Sequence, residues 1–344
     1  MPRQLTLRDI GKQLGLSAMT VSLALRDSPR ISEATKKRVR AATRGINFEP
    51  NQLARALATG RSNLIGVIVP NSSDLYYAEV IRAIEDAASA HDYHVLLCNG
   101  SYRMETYTAR VRDMRRLHMK GIVAAPPFLS EKPRLPPFWQ DLVKSDFEVV
   151  LINRQLDPPI FHQVAADYMA GVAMVAKALA DRRHHRVAYI SSNQTIVNFV
   201  QRLDTYRGCV LEYGFDQDGS LFESGELTCA GGYAACKRLW AANRRKLPTA
   251  IVAASDTMAV GILRYLDETG IDVPGQVSIA SFDGTWFADF THRSLTTVVT
   301  PMYEIGLQAF TTLLDAMKGE IREPRSLVLP VQLRLRESIG PAPR

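Results

Sequence analysis

The spacing of apolar and polar positions along the chain changes near residue 63. Before that point, three short segments carry apolar residues at helical intervals. After it, short β-branched apolar runs alternate with amphipathic stretches, a pattern typical of parallel sheets with helices on both faces. A chain of 344 residues is also long enough for more than one core. We therefore predict an all-α domain over residues 1–50, a hinge or linker over 51–62 and a two-lobed α/β core over 63–344.

The first predicted helix begins near Leu7. Thr6 and Asp9 have the spacing of a capping box, in which the side chain of each accepts a hydrogen bond from the backbone N–H of the other. Gly15 can adopt the left-handed conformation that ends a helix. Gly11 provides the small residue that lets this helix cross the next one closely.

Two more helices follow after short connections. Ser17 is placed to cap a second helix that runs to about Leu25, and Ser32 to cap a third that ends at Gly45. Two short helices joined by a tight glycine-containing turn and braced by a third indicate a helix-turn-helix.

The second predicted helix has an uncharged face where a surface helix normally carries charged side chains. About eight residues at 1.5 Å rise form a rod of roughly 12 Å, which suits a major groove about 12 Å wide. We therefore predict that this face contacts DNA bases, with Ser17 and the helix N-terminus on a phosphate. The alternative is a small bundle that binds a protein partner. The uncharged positions are Ala18, Met19, Thr20, Ser22 and Leu23.

Positive charge is confined to the same end of the chain. The net charge is +7. Residues 1–62 hold 12 basic and 4 acidic residues, whereas the remaining 282 hold 30 basic and 31 acidic ones. This confinement favours a polyanionic partner for the first segment alone.

Residues 6–70 resemble the DNA-binding segment of the lactose/galactose repressor family of bacterial transcription regulators. The shared motifs are "VS" in the second helix, "IS..T...V" in the third and "PN..A..LATGRS" beyond. The resemblance implies a homodimer on a pseudo-palindromic operator, with two recognition helices about 34 Å apart on one DNA face. It implies DNA contacts for Thr6, Ser17, Ala18, Met19, Thr20, Ser22, Leu23, Ser32, Thr35, Asn51, Ala54, Arg55 and Leu57.

Within that set, the family's base-reading positions fall on Ala18, Met19 and Leu23, and its hinge on residues 51–60. Leu23 departs from the Arg or His common at its position, so we expect a half-site without a guanine contact there and with T-rich positions. The hinge is expected to fold at the minor groove with Leu57 as an apolar wedge. A simple linker helix is the alternative.

The core is predicted to consist of two doubly wound lobes with a ligand cleft at the carboxyl ends of their strands. Seven apolar runs predict strands: "LIGVIVP", "HVLLCN", "GIVAAP", "VVLIN", "RVAYIS", "TAIVAAS" and "VSIASFD". The family resemblance extends to about residue 339 and implies the fold of periplasmic sugar-binding proteins. It implies effector contacts for Asn71, Asp74, Tyr76, Tyr77, Asn153, Asp167, Arg202, Leu227, Ser255 and Asp283. Each of these residues could instead be an ordinary helix N-cap, and we interpret Asp256, which follows Ser255, as one.

The effector is expected to be a saccharide, because carboxylates with an arginine and an amide can bind vicinal hydroxyls. Two departures bear on this expectation. Leu227 falls where many sugar-responsive members carry a stacking Trp or Phe, and Ile196 where purine-responsive members carry Arg. Tyr76 and Tyr77 are the alternative source of stacking. The effector's identity, and whether it releases or tightens DNA, stay open.

No pattern in the sequence indicates catalysis, a cofactor or a metal site. There is no GxGxxG after a strand, Walker loop, HExxH or GxSxG. We interpret His184 and His185 as a solvated turn. The cysteines lack CxxC spacing and are expected to be reduced, partly buried thiols: they are Cys98, Cys209, Cys229 and Cys236.

These patterns predict a DNA-binding regulator, more specifically a repressor, under allosteric control by a small molecule. No apolar run reaches the roughly 18 residues of a membrane span, and no signal peptide is visible, so we expect a cytoplasmic location. The alternatives are a sugar-binding protein without DNA function and an enzyme on a doubly wound scaffold. The C-terminal tail lacks leucine heptads, which favours a dimer over a zipper-built tetramer.

Overall fold

A computed structural model of the protein describes residues 6–25, 27–44, 62–127, 136–194 and 196–343. The chain divides into two compact units, Met1–Ser62 and Asn63–Arg344. Each unit has its own core, and each is described separately below.

The first unit contains the three predicted helices. They are α1 (Leu7–Leu14), α2 (Ala18–Leu25) and α3 (Glu33–Thr43). The capping box of Thr6 and Asp9 is formed, and Gly15 ends α1 with φ of 67°. These predictions are confirmed. α3 is described to Thr43, with Arg44 as its C-cap, and the predicted end at Gly45 lies outside the described residues.

The core of this unit is small and entirely aliphatic. Ile10, Val21, Ala24 and Val39 are fully buried, with one or two contributed by each helix. Gly11 makes this packing possible, because a Cβ there would lie 2.6 Å from the Leu16 carbonyl oxygen. The close crossing predicted at Gly11 is therefore confirmed.

The first lobe of the second unit contains a six-stranded, entirely parallel sheet in the order β11-β5-β4-β3-β1-β2. Its strands are β1 (Leu64–Val69), β2 (His94–Asn99), β3 (Gly121–Ala124), β4 (Glu148–Ile152), β5 (His162–Ala166) and β11 (Ser326–Leu329). Its helices are α4 (Leu75–Ala90), α5 (Met104–Arg116), α6 (Pro137–Val143) and α11 (Met302–Lys318).

The second lobe repeats this plan in the order β12-β10-β9-β8-β6-β7, with β12 antiparallel to β10. Its strands are β6 (Val187–Ser192), β7 (Phe222–Gly225), β8 (Ala250–Ala253), β9 (Ser278–Asp283), β10 (Thr296–Val299) and β12 (Gln332–Arg334). Its helices are α7 (Tyr168–Ala180), α8 (Val197–Glu212), α9 (Cys229–Ala242) and α10 (Asp256–Glu268), with a 3₁₀ turn at Trp286–Asp289.

The chain passes between the lobes three times. It crosses from β5 to α7, returns from β10 to α11, and crosses again from β11 to β12. Each lobe is therefore built from segments distant in sequence. In both lobes, a helix that follows a strand begins near the carboxyl end of that strand. The N-terminal residues of these helices therefore meet at one cleft between the lobes.

All seven predicted strands are present, and the described residues contain five further strands that were not predicted. β5, β7, β10, β11 and β12 are three to five residues long and lack a sustained apolar run. Three of them lie at sheet edges. β10 is interior but rich in threonine: the buried Thr296 and Thr297 hydroxyls bond to polar partners inside the lobe. Short polar strands of this kind are defined by their neighbours rather than by their own pattern.

Two side-chain predictions are corrected by the fold. His184 is buried rather than solvated, with Nδ1 3.0 Å from Thr249 Oγ1 and Nε2 3.0 Å from the Gly340 carbonyl oxygen. Burial lowers the pKa of His184. Asp256 is not a helix cap, since Ser255 accepts the capping hydrogen bond from the Met258 N–H of α10.

Candidate functional site

The exposed face of α2 is the candidate DNA-contacting surface. The helix buries Val21 and Ala24 against α1 and α3, which turns its uncharged positions outward. Met19 has 71% of its surface exposed, a high value for a large apolar side chain. The neighbouring Ser22 and Leu23 are half-buried. An apolar, uncharged face of this kind can approach base edges and thymine methyl groups closely.

Three of the predicted DNA contacts are helix N-caps. Thr6, Ser17 and Ser32 accept hydrogen bonds from backbone N–H groups of α1, α2 and α3 respectively. The Oγ of Ser17 lies 2.9 Å from Thr20 Oγ1, and that of Ser32 lies 2.9 Å from Thr35 Oγ1. Each hydroxyl pair sits beside the partly unsatisfied N–H groups of a helix start, where a phosphate oxygen is favoured.

The turn after α2 is fixed by charge pairs to α3. Asp27, in a left-handed conformation, contacts Lys36 Nζ at 3.1 Å and Arg40 Nη2 at 2.9 Å. Hydrogen bonding and attraction to Lys36 lower the pKa of Asp27. These contacts hold the end of α2 against the third helix. Four predicted DNA contacts lie outside the described residues: Asn51, Ala54, Arg55 and Leu57.

The candidate effector site is a cavity of about 900 Å³ in the second unit. It lies between the lobes, at the carboxyl ends of strands in both sheets. Its volume is near the upper end of the ~300–1,000 Å³ typical of ligand pockets. Nine of the ten predicted effector contacts line it: Asn71, Asp74, Tyr76, Tyr77, Asn153, Arg202, Leu227, Ser255 and Asp283.

Asp167 is the exception among the predicted contacts. Its carboxylate accepts a hydrogen bond from the Ala170 N–H at 2.9 Å and caps α7, and it does not line the cavity. The next residue, Tyr168, lines the cavity in its place. This capping hydrogen bond explains why Asp167 does not line the cavity, because it directs the carboxylate toward the start of α7.

Carboxyl groups from both lobes face the cavity. Asp74 caps α4, with Oδ1 accepting from the Tyr76 N–H at 3.0 Å, and burial raises the pKa of Asp74. Asp283 ends β9 with φ of 109°. Burial, followed by the negative charges of Asp256 and Asp74, raises the pKa of Asp283 well above its ordinary value.

Asp256 holds the segment that follows Asp283. Its Oδ1 accepts hydrogen bonds from Ser281 Oγ and, at 2.7 Å, from Thr297 Oγ1. Its Oδ2 accepts one from the Thr285 N–H at 2.7 Å and one from the Thr285 hydroxyl at 2.8 Å. It is fully buried. Because its partners come from β9, β10 and the loop between them, Asp256 fixes the backbone on both sides of Asp283.

Arg202 lies beneath the same part of the cavity. Its Nη2 donates to the Ala254 carbonyl oxygen at 2.8 Å, and its guanidinium lies 3.9 Å from the ring centroid of Phe282. Its charge lowers the pKa of Asp283, against the larger effect of burial. An arginine and a carboxyl group together can donate to and accept from vicinal hydroxyls.

Several lining residues were not predicted from the sequence. Tyr102 follows β2, so the rule that ligands bind at carboxyl ends of strands could have identified it. Asn198 and Arg154 gave no sequence signal. The exposed aromatics Trp286 and Phe290 follow β9 closely and line the mouth of the cavity, with a ring separation of 6.2 Å.

The described residues contain neither a membrane-spanning helix nor a cluster of metal ligands. Within the described part of the chain, no helix is long and apolar enough to cross a membrane. Among the same residues, no three His, Cys, Asp or Glu side chains are grouped so that they could hold a metal ion. The four cysteines are free, with Cys209 and Cys236 buried and Cys229 exposed.

Two family profiles match the chain. The profile for bacterial regulatory proteins of the lacI family matches residues 6–51, which include the helix-turn-helix. The profile for the periplasmic binding protein-like domain matches residues 176–339, from α7 to the end of the second lobe. The chain belongs to the lactose/galactose repressor family.

Similar regulators of this family align with nearly the whole chain. Catabolite control protein A of Priestia megaterium is 28% identical over 334 residues, covering 97% of this chain and 98% of that protein. GalR of Escherichia coli K12 is 29% identical, covering 88% and 87%. As a member of the family, the chain is a DNA-binding transcription regulator. A solute-binding protein without DNA function would not explain the match over residues 6–51.

Solved structures agree with the two-lobed fold. The CelR–cellobiose complex matches with a TM-score of 0.72 and 27% identity, covering 97% of this chain and 99% of that one. The lac repressor dimer bound to operator and the anti-inducer ONPF matches with a TM-score of 0.88, covering 98% and 100%. At 21% identity, the latter likeness concerns the fold.

Proposed function

We propose that this member of the lactose/galactose repressor family is a homodimeric repressor that binds a pseudo-palindromic operator and responds to a saccharide. The observation that carries the proposal is that one chain holds both a helix-turn-helix with an exposed uncharged face and a polar, aromatic-lined cavity between two α/β lobes. The lac repressor structure, a dimer on operator DNA, supports the same arrangement.

The proposed DNA contacts are the residues of the first unit that the family resemblance assigns. Ala18, Met19 and Leu23 read base edges, mainly through apolar contacts, and the hydroxyls at the helix starts contact phosphates. The hinge, with Asn51, Ala54 and Leu57, acts at the minor groove, and Arg55 contacts a phosphate. We propose that the DNA-binding domain spans residues 1–50, the hinge residues 51–62 and the effector-binding core residues 63–344.

A saccharide is the effector that suits the cavity chemistry. Asp283, Arg202 and the amides of Asn153 and Asn198 offer donors and acceptors for hydroxyl groups, and tyrosine rings offer apolar faces for a sugar ring. The relative CelR was solved with cellobiose, which supports this class of ligand.

Control of DNA binding is proposed to act through the orientation of the two lobes. The effector binds one orientation more tightly, and the difference in affinity shifts the population of DNA-competent dimers. Coupling of about 1–3 kcal/mol is typical of such systems. We further propose that the chain acts in the cytoplasm as a regulator rather than an enzyme, which the names of its relatives as regulators support.

The direct test is a gel-retardation assay on the DNA upstream of the chain's own coding sequence, with and without a panel of sugars. We expect specific retardation that one sugar alters, and release or tightening by that sugar distinguishes induction from corepression. For about 6–10 phosphate contacts, affinity should fall roughly 10³–10⁵-fold between 50 and 200 mM salt.

Two variants test whether α2 provides the DNA-contacting surface, because one places a negative charge on that helix and the other places it on α1. Ser22→Glu puts a negative charge on the exposed face of α2 and should abolish retardation. Gln13→Glu puts the same charge on α1 and should retain most of it. If the dimeric wild-type protein prefers no duplex over random competitor under any ligand condition, operator binding is refuted.

A further inference from the structure

Methionine sulfur is unevenly exposed along the chain. The sequence contains ten methionines, of which the first lies outside the described residues. Met19 is 71% exposed and Met174 is 38% exposed, whereas the other seven described methionines are half-buried or buried. Met19 therefore presents the sulfur that a small oxidant in solution reaches most readily.

Met19 owes its exposure to the way α2 packs. The helix turns Val21 and Ala24 into the core of the first unit, and Met19 is its one exposed residue. Five partly buried side chains pack against this core, and Met19 is not one of them. A chemical change at its sulfur should therefore leave the fold of the unit intact.

The surface around Met19 is uncharged. None of the eight residues of α2 carries a charge, and none of their side chains has an N–H donor. The hydroxyls of Ser17 and Thr20 beside it lie 2.9 Å apart, and Ser17 also caps the helix. The long thioether of Met19 can adapt to the apolar edge of a base pair, such as a thymine methyl group. This contact depends on the sulfur remaining apolar.

A peroxide changes the polarity of such a sulfur in one two-electron step. The sulfur lone pair attacks one oxygen of hydrogen peroxide, so that an S–O bond forms and the O–O bond breaks. The second oxygen leaves as water after it takes up the proton of the first. The sulfur is oxidised by two electrons and the peroxide is reduced by two. The methionine sulfoxide that results is polar and accepts hydrogen bonds.

We propose that Met19 is a modification site at which peroxides weaken operator binding by converting the thioether to a sulfoxide. This inference rests on the proposed contact between α2 and DNA and adds a means of controlling it. In the complex, the sulfoxide oxygen would lose water at a face without N–H donors and against methyl groups. An unpaired polar group of this kind should lower affinity about tenfold for each recognition helix, and about 100-fold for a dimer oxidised on both.

Cysteine thiols are the competing targets of a peroxide. Burial raises the pKa of Cys98, Cys209 and Cys236, which keeps these thiols in the less reactive protonated form. Cys229 is exposed, but it lies in the second unit at the start of α9. Its oxidation can be told from that of methionine, because dithiothreitol reverses disulfides and sulfenic acids and leaves the sulfoxide in place.

The experiment uses the full-length protein and the duplex that it retards most strongly. The protein is treated with hydrogen peroxide and then with dithiothreitol. Peptide mass spectrometry measures the sulfoxide at Met19 and Met174, and fluorescence anisotropy measures operator affinity. Affinity should fall about 10- to 100-fold as Met19 is converted, with the circular dichroism spectrum unchanged. Methionine sulfoxide reductases A and B, which act on the two epimers, should restore it.

Two variants and one protection measurement locate the effect. In Met19→Leu, the ratio of affinities before and after treatment should be close to one, because leucine has no sulfur to oxidise. In the matched control Met174→Leu, treatment should cause the full loss seen in the wild type. Saturating operator should slow the oxidation of Met19 and leave that of Met174 unchanged, because DNA covers the exposed face of α2.

The outcomes separate this inference from the proposed function. Untreated protein that binds no duplex specifically overturns both. Specific binding that is unchanged when Met19 is fully converted overturns the inference alone, as does an equal loss of affinity in Met19→Leu and the wild type. If Met19→Leu binds no operator even before treatment, the wild type decides. Failure of the reductases to restore its affinity, or oxidation of Met19 at the same rate with and without operator, then overturns the inference.

Discussion

Asn198 Nδ2 donates a hydrogen bond to Asn153 Oδ1 at 3.2 Å, and this bond joins the two lobes across the cavity. Asn153 follows β4 of the first lobe in a left-handed conformation with φ of 53°, which asparagine adopts more readily than most residues. Asn198 lies in the first turn of α8 of the second lobe. Its buried Oδ1 has no hydrogen-bond partner among the described residues, so it can accept from a ligand.

Asn198→Ala should therefore weaken effector binding, because it removes both the cross-lobe bond and the free acceptor. We expect a loss of about 3- to 10-fold in affinity, measured by titration with the sugar that alters operator binding. Gln201→Ala, on the exposed side of the same helix, is the matched control. Unchanged affinity in Asn198→Ala would remove this residue from the effector site.

Asp256→Ala should destabilise the second lobe, because four buried donors would lose their acceptor. A cost of about 2–5 kcal/mol is expected, since unsatisfied buried donors cost ~1–3 kcal/mol each and are not additive. The measurement is urea unfolding followed by the fluorescence of Trp240 and the other tryptophans of the unit. Asp267→Ala, on the exposed face of the same helix, should change stability by less than about 0.5 kcal/mol.

Leu23→Arg should change the preferred base at one operator position. An arginine at this point of α2 can form a bidentate contact with guanine, worth roughly 1–3 kcal/mol of discrimination. Selection of binding sites from random duplexes measures the consensus for both proteins. Gln13→Arg adds the same charge on α1 and should raise affinity without altering the consensus. An identical consensus for wild type and Leu23→Arg would show that Leu23 does not face a base.

Gly11→Ala and Gly208→Ala should have opposite effects on stability. The added Cβ at Gly11 would meet the Leu16 carbonyl oxygen at 2.6 Å, which forces α1 and α2 apart and costs about 1–3 kcal/mol. At Gly208, inside α8, no atom other than the neighbouring residues and backbone of the helix itself lies within 4 Å of the added Cβ, so alanine should stabilise by about 0.5–1 kcal/mol. Hydrogen exchange within α1 and α2 and urea unfolding of the core report the two effects. Faster exchange in Gly208→Ala than in Gly11→Ala would contradict this packing.

His184 should make the second lobe sensitive to acid. Burial lowers the pKa of this imidazole in the folded chain. Stability is therefore fully present above the unfolded value of 6.5 and is lost as the pH falls below it, because the unfolded state binds more protons. His184→Gln should flatten the decrease in Tm between pH 7 and pH 5, whereas the exposed His185→Gln should keep the wild-type slope. Parallel curves for all three proteins would assign the acid response to other groups, such as His162, whose pKa burial also lowers.

Local interactions account for what the sequence determined by itself. The capping box of Thr6 and Asp9, the left-handed Gly15 and the cap at Ser17 act within a few residues, so their spacing predicted α1 and the start of α2. The interior strands β1, β3, β4, β6, β8 and β9 were equally visible, because each is buried on both faces and carries an apolar run. The interior strands β5 and β10 were not visible, because polar side chains interrupt them. The alternation of strands and helices predicted the two-lobed core, and the family motifs added nine of the residues that line its cavity.

Tertiary structure decided the features that depend on residues distant in the chain. β10 and β12 are strands because of the neighbours with which they pair. β10 has β-branched residues but no long apolar run, and β12 is only three residues long. Asp256 and Asp167 are both carboxylates at a helix start, yet one organises four donors from three segments and the other caps its helix. The contact between Asn153 and Asn198 exists only because two lobes built from interleaved segments meet at one cleft. Spacing along a chain can specify a turn of helix, but it cannot specify which side chains face each other across a cavity.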